Sequence, residues 1–288
     1  MKEVNQSILS EIYQERPPES RKYDFGLVLV IGGSDFYSGS PALSALAAFR
    51  AGADMIRIIA PKRAADIIAS FSPILATYPL EGKYLKKEHL SVIIAMTEAA
   101  KMVARNNVAV VLGGGIGRSE ETQKTILEYL ANISVPVIID ADAIYALKEN
   151  YAVLQGKEVI ITPHYGEFFR LTGREIYDLP LAEKIKIVQE EATKLKAVIL
   201  LKGQTDIISN GQEVILNKIG SPYLTVGGCG DTLAGIVGAL LARGVSTMKS
   251  ASTAAYLNSQ AGLLAAAKFG DSLVATDLID CIHQVIKK

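Results

Sequence analysis

Six short aliphatic runs recur along the chain: LVLVI (27–31), MIRIIA (55–60), VAVVL (108–112), PVIID (136–140), EVIIT (158–162) and AVILL (197–201). Most lack the apolar–polar alternation of a half-exposed strand. Continuous runs of this length suit strands covered on both faces, as in parallel sheets. Stretches rich in Ala, Leu, Glu and Lys lie between them, and 41–51, 88–104, 120–131 and 180–195 read as helices. Repeated strand–helix units predict an α/β fold with a mostly parallel central sheet flanked by helices on both faces. The last quarter reads as Ala-rich helices at 231–243 and 250–268, with Gly244 and Gly270 as their stops. No linker or repeat divides the chain, so one domain is expected over 25–288, behind a polar leader at 1–24 punctuated by Pro17 and Pro18. With 288 residues, 49% hydrophobic and 21% charged, the chain can bury a large core and is not disordered.

Charge and cysteine usage remove several function classes. Thirty Lys and Arg against thirty Asp and Glu give zero net charge, so no nucleic-acid partner is expected, because counterion release needs a cationic surface. Two cysteines make no disulfide framework, and the three histidines lack zinc-ligand spacing. The first 25 residues carry no apolar signal core, and the longest apolar run, 234–242, falls short of the roughly 20 residues a membrane span needs. A cytoplasmic protein with no membrane partner is expected.

The chemistry-prone residues gather where the runs end. LVLVI leads into GGSDFYSGS, VAVVL into GGGIGRS, PVIID into ADA, EVIIT into PHYGE and AVILL into KGQTD. Ligands of open parallel sheets bind beyond the carboxyl ends of the strands, so these clusters predict one long site. Any single glycine cluster is equally well read as a plain turn. The sharpest motif is GGCGDTLAG (227–235). Consecutive glycines before a helix expose backbone N–H groups, and the helix dipole favours a phosphate there. Asp231 at that point is either an ordinary cap or a base that takes a proton from an attacking hydroxyl. A P-loop is absent, and Arg118 breaks the dinucleotide fingerprint Gly-x-Gly-x-x-Gly in 113–118.

GGCGDTLAGIVGALLARG resembles the anion hole and catalytic Asp of ribokinase-superfamily enzymes. Taken with 32–53, GGGIGR, IDADAIYAL, TPHYGEFFRL and LKGQTDII, residues 25–285 are similar to the NAD(P)H-hydrate dehydratase family. The resemblance implies a ribokinase-like fold and repair of hydrated NADH or NADPH. The ring hydroxyl is phosphorylated from ADP or ATP, with Mg²⁺, and phosphate is then eliminated. It implies Asp231 as the base and the N–H groups of Gly228, Cys229 and Gly230 as the anion hole. Substrate contacts fall on Ser40, Gly115, His164 and Asp231. Nucleotide contacts fall on Lys202, Gly203, Gln204, Thr205, Asp206 and Gly230. Cys229 and Ser40 replace the family's usual Thr and Ala, both small changes. ADP rather than ATP, a homotetramer, and an epimerase on a separate chain are the further expectations. The rival readings are a kinase for a small hydroxylated metabolite and a silent binding protein.

Several residues keep two readings. His164 can contact substrate, accept a ring proton or serve structure. Lys202 can neutralise phosphate or snorkel. Asp140 and Asp142 can organise magnesium through water or cap the next helix, leaving metal ligands open. Glu167 can stabilise its helix or support the site. Cys229 sits where thiol pKa values fall, but without a base partner it reads as a small filler open to alkylation.

Overall fold

All six runs become strands of one ten-stranded sheet in the computed structural model, which describes residues 2–287. The chain starts with β1 (Lys2–Glu3) and α1 (Ser7–Ile12). Next come β2 (Leu27–Ile31), α2 (Gly39–Arg50), β3 (Met55–Pro61), α3 (Lys62–Phe71) and β4 (Ala76–Leu80). They are followed by α4 (Leu90–Val103), β5 (Val108–Leu112), α5 (Glu120–Asn132) and β6 (Val137–Ile139). Two 3₁₀ segments, Ala141–Leu147 and Tyr151–Leu154, link β6 to β7 (Val159–Ile161). Then α6 (Tyr165–Thr172), α7 (Leu181–Leu195), β8 (Val198–Leu201), β9 (Asp206–Ser209) and β10 (Val214–Asn217) lead to α8 (Cys229–Ala242), α9 (Thr247–Phe269) and α10 (Ala275–Ile286).

The strand order is β1-β10-β9-β8-β7-β6-β5-β2-β3-β4, parallel from β8 to β4, with β9 antiparallel to both its neighbours. β2 is the point where the winding reverses: α2 carries the chain to β3 on one side, and β5 pairs on the other. Such a reversal leaves a crevice beyond the strand ends. Here it is floored by backbone, since Gly33 N donates to Gly114 O at 2.8 Å and Gly113 N donates to Ile31 O at 3.0 Å.

Burial on both faces explains the continuous apolar runs. Val28, Val30, Ile56, Ile58, Val111 and Ile138 face a layer containing α2, α8, α9 and α10. Leu27, Leu29, Ile31, Val110, Leu112 and Val137 face α4, α5, α6 and α7. Each fully buried Ile or Leu contributes about 2 kcal/mol by leaving water. The first layer is built from small residues: Ala45, Ala47 and Ala48 of α2 meet an α8 that carries Ala234, Gly235, Ala239 and Ala242. A Cβ on Gly235 would collide with the Ser44 backbone, so the two helices approach as closely as they do only because that side chain is missing. The second layer uses bulk instead, with Tyr129 and Phe168 fully buried.

The described part of the leader belongs to this body. β1 pairs with β10, and Leu9 is buried in the first core. Arg243 lies over the Tyr13 and Phe25 rings and donates to the carbonyls of Ile12 and Gly52. The expected helix stops hold, with Gly244 at φ 79° after α8 and Gly270 capping α9.

Candidate active site

The crevice is completed by the start of α8. Its N-cap, Gly228, has φ 98°, and a Cβ there would come within 2.7 Å of both Leu43 and Ala275. No side chain caps α8, so its first N–H groups remain open to an external acceptor, at the positive end of the helix dipole. Asp231 lies in this first turn and is fixed by its own backbone, because Ser44 Oγ donates to Asp231 O at 2.9 Å. Thr232 Oγ1, 2.7 Å from Asn258 Oδ1, ties the same turn to α9. The Asp231 carboxylate faces the β5 exit: a Cβ on Gly114 would lie 3.0 Å from Oδ1 and 2.8 Å from Ser40 Cβ. Burial pushes the Asp231 carboxyl up to about 7; Asp140 and Glu167 add to this, while Ser40 and Lys202 oppose it. A carboxyl poised near neutrality is suited to proton exchange at ordinary pH.

Lys202 follows β8 and extends the β7–β8 pairing to the site, its N–H donating to Pro163 O at 2.8 Å. Its ammonium reaches the anion hole, 3.4 Å from where a Gly230 Cβ would stand. It also bonds Asp140 Oδ1 at 3.0 Å and lies 3.8 Å from Glu167 Oε2. Burial works against its charge, but Asp140, Glu167 and Asp231 outweigh that and raise its pKa. Thr162 Oγ1 donates to the same Asp140 oxygen at 2.7 Å. Lys202 is therefore held in place rather than snorkelling. Thr162 and Gly114 are residues at the site that the sequence did not single out, and the contact of Asp140 with Lys202 was not foreseen; Thr162 and Asp140 share a signal, each being the last residue of its apolar run.

His164 and Glu167 form a reciprocal cap on α6. His164 Nδ1 accepts from Gly166 N and Glu167 N at 3.0 and 3.2 Å, and Glu167 Oε2 accepts from His164 N at 2.9 Å. The same buried carboxylate also faces Lys202, 3.8 Å away. With Nδ1 used as an acceptor, Nε2 is left as the ring's donor position, 3.4 Å from Glu167 Oε1 on a half-exposed side chain.

The remaining predicted residues divide between contact and scaffold. Gly115, at φ 64°, lies under the Tyr37 ring. Gly203 is pressed against the Tyr165 hydroxyl, where a Cβ would be 2.6 Å from it. Asp206 spends both oxygens on the turn, accepting from Gly203 N at 3.1 Å and Asn217 Nδ2 at 2.8 Å; burial raises its carboxyl to about 6. Gln204 is exposed and Thr205 half-buried at the mouth of the same turn. Cys229 is buried, as a small filler would be. Burial, with Asp231 beside it, pushes the thiol up to about 11, the opposite direction from that given by a helix terminus.

The two carboxylates considered for magnesium have separate duties. Asp142 accepts from Gly117 N at 3.0 Å and from Arg118 Nε, clamping the glycine loop. Asp140 spends Oδ1 on Lys202 and Thr162, and among the described residues Oδ2 has no hydrogen-bond partner. Among the described residues no three His, Cys, Asp or Glu side chains form a metal cage. One carboxylate oxygen suits a Mg²⁺ that arrives on nucleotide phosphates, since Mg²⁺ keeps several waters and uses few carboxylates.

Residues 28–284 match the NAD(P)H-hydrate dehydratase family. The chain belongs to that family. It is 34% identical to the ADP-dependent (S)-NAD(P)H-hydrate dehydratase of Nitrosopumilus maritimus, over 99% of this chain and 97% of that one. It is 42% identical to a bifunctional NAD(P)H-hydrate repair enzyme of Pyrobaculum aerophilum, covering 95% of this chain; like other bifunctional relatives, that protein is about twice as long, with 53% of it matched. Among solved structures, an ADP/ATP-dependent NAD(P)H-hydrate dehydratase of Bacillus subtilis, co-crystallised with ATP/Mg²⁺, superposes with a TM-score of 0.82 at 25% identity, over 99% of this chain and 98% of that one. The fold is ribokinase-like, as expected from the sequence. No helix among the described residues is long and apolar enough to cross a membrane.

Proposed function

We propose that this chain dehydrates hydrated NADH or NADPH at the expense of ADP or ATP. The observation that carries the reading is the Asp231 carboxyl, raised to about 7 beside an open helix N-terminus and facing the glycine floor of the crevice. Hydroxide is a poor leaving group, so the ring hydroxyl is first turned into a phosphate. Asp231 takes the hydroxyl proton as the oxygen attacks the terminal phosphoryl group, and the bond to the shortened nucleotide breaks. The N–H groups at Gly228, Cys229 and Gly230, with Lys202, hold the charge that develops on that group. The ring nitrogen lone pair then expels phosphate, and loss of a proton from the adjacent carbon restores the double bond. Ser40 and Gly115 line the substrate side. His164, held by its cap on α6, contacts the substrate amide. Gly203, Gln204 and Thr205 form the turn for the nucleotide, and Asp206 keeps that turn in shape. Magnesium bound by the nucleotide phosphates and Asp140 would neutralise their charge. A cytoplasmic homo-oligomer, a tetramer by resemblance, belongs to the same reading.

The test is incubation with hydrated NADH and ADP or ATP. Reduced-nicotinamide absorbance should return in step with free phosphate, and kcat/KM should fall as pH drops below about 7, as Asp231 becomes protonated. Recovery without any nucleotide, or a stable phosphorylated product, would sink the proposal; the second outcome makes the chain a kinase.

A further inference from the structure

The chemical end of the site is acidic: Asp140, Glu167 and Asp231 surround a single ammonium, Lys202, which is already bonded to one of them. A dinucleotide substrate brings phosphate charge of its own, distant from the phosphoryl group being transferred. Other cations near the strand exits have assigned contacts. Arg63 donates to Asp35 O at 2.6 Å, Lys83 lies 3.8 Å from Asp35, and Lys86 lies 3.8 Å from Glu88.

Arg118 differs. It ends the same glycine cluster whose Gly114 abuts Asp231 and whose Gly115 lies under Tyr37. Its guanidinium is fixed at two points: Nε donates to Asp142 Oδ1 at 2.5 Å, and the plane sits 4.1 Å from the Tyr145 ring centroid. Asp142 in turn grips Gly117 N, so guanidinium and glycine loop move as one piece. Among the described residues neither terminal nitrogen of Arg118 has a hydrogen-bond partner, and the side chain is 55% exposed. A planar fork with its donors unspent and its orientation fixed matches the oxygens of a phosphate. A structural ion pair of this exposure adds little to stability and has no use for the free fork.

Building on the dehydratase reading, we propose that Arg118 is a substrate-specificity residue that receives a phosphate of the dinucleotide, with Asp142 and Tyr145 as its positioning residues. That phosphate is either the diphosphate bridge shared by NADH and NADPH or the 2′-phosphate of NADPH alone.

The experiment compares wild type, Arg118→Ala and Arg118→Lys on hydrated NADH, hydrated NADPH and the hydrated reduced nicotinamide riboside, which has no phosphate. Arg118→Ala should raise KM for a dinucleotide at least tenfold with kcat within about twofold, and Arg118→Lys should recover part of the loss. Turnover of the riboside and KM for ADP should not move. Loss with both dinucleotides assigns the diphosphate; loss with NADPH alone assigns the 2′-phosphate. An unchanged dinucleotide KM, or a rise confined to ADP, overturns the proposal. Direct titration with NADH and NADPH separates this from the reading beneath it. If wild type binds them but does not dehydrate the hydrates, the dehydratase reading fails. Arg118 then stands or falls on whether Arg118→Ala loses that binding, and wild type that binds neither dinucleotide overturns the Arg118 proposal as well.

Discussion

The two helical layers solve one packing problem in opposite ways. The layer of α2, α8, α9 and α10 is Ala- and Gly-rich, and its helices approach until backbone meets backbone at Gly235 and Ser44. The layer of α4 to α7 fills its space with Phe168, Tyr129 and branched side chains. Their functional contributions differ in the same way. The first layer delivers backbone, through the start of α8, with the Asp231 carboxylate held close to a glycine floor. The second delivers side-chain polarity, through the His164–Glu167 cap on α6. Small residues let a helix terminus come close to the glycine floor, whereas bulky ones anchor a scaffold from which polar groups project.

The largest effect should come from Asp231→Asn, which tests whether the first layer supplies the base. Turnover should fall by about a thousandfold. Stability should move the other way. The folded carboxyl titrates near 7 against 3.8 in its ordinary state, so wild type loses stability as pH rises through that window and the variant does not. Between pH 5 and 8 the urea-derived gap should widen in the variant's favour by about 2–3 kcal/mol. A gap independent of pH would contradict the burial of this carboxylate.

Phe168→Ala probes the bulk-filled layer and should cost about 3–5 kcal/mol in urea unfolding. Gly235→Ala probes close approach in the other layer and should cost about 1–3 kcal/mol by forcing α8 away from α2. Its activity should fall as well, because Ser44 also holds the Asp231 backbone. If the larger loss came from Gly235→Ala, or Phe168→Ala were neutral, the contrast between the layers would be lost. His164→Asn should have the smallest effect. Asn caps helices well, so stability should change by less than about 0.5 kcal/mol, with the loss confined to substrate KM. A collapse of kcat at unchanged KM would return His164 to proton transfer.

The buried strands were legible because burial on both faces writes itself as unbroken aliphatic runs. Strands that do not spell out such a run were missed. β4 is an edge strand carrying Pro79, and most of it is exposed. β9 and β10 form a hairpin whose signal, Asn210-Gly211, lies between runs of only four residues. Helix positions agreed closely, as in 120–131 against α5 at Glu120–Asn132. At the site, the glycines and Asp231 were legible because backbone approach requires them. The Asp140–Lys202–Thr162 contact was not, since it joins the ends of three strands that only the sheet order makes neighbours. The depth of Cys229 was not legible either, because a helix terminus can be read in sequence and burial cannot.

The two residues of β1 cover the outer edge of β10, and Val4 N donates to Leu216 O at 3.1 Å just beyond them. A bare strand edge is a template on which another chain can pair. Trimming these first residues would leave Asp231, at the β5 exit, untouched, yet expose that edge. Its cost would then appear as lost solubility and concentration-dependent aggregation rather than as lost turnover.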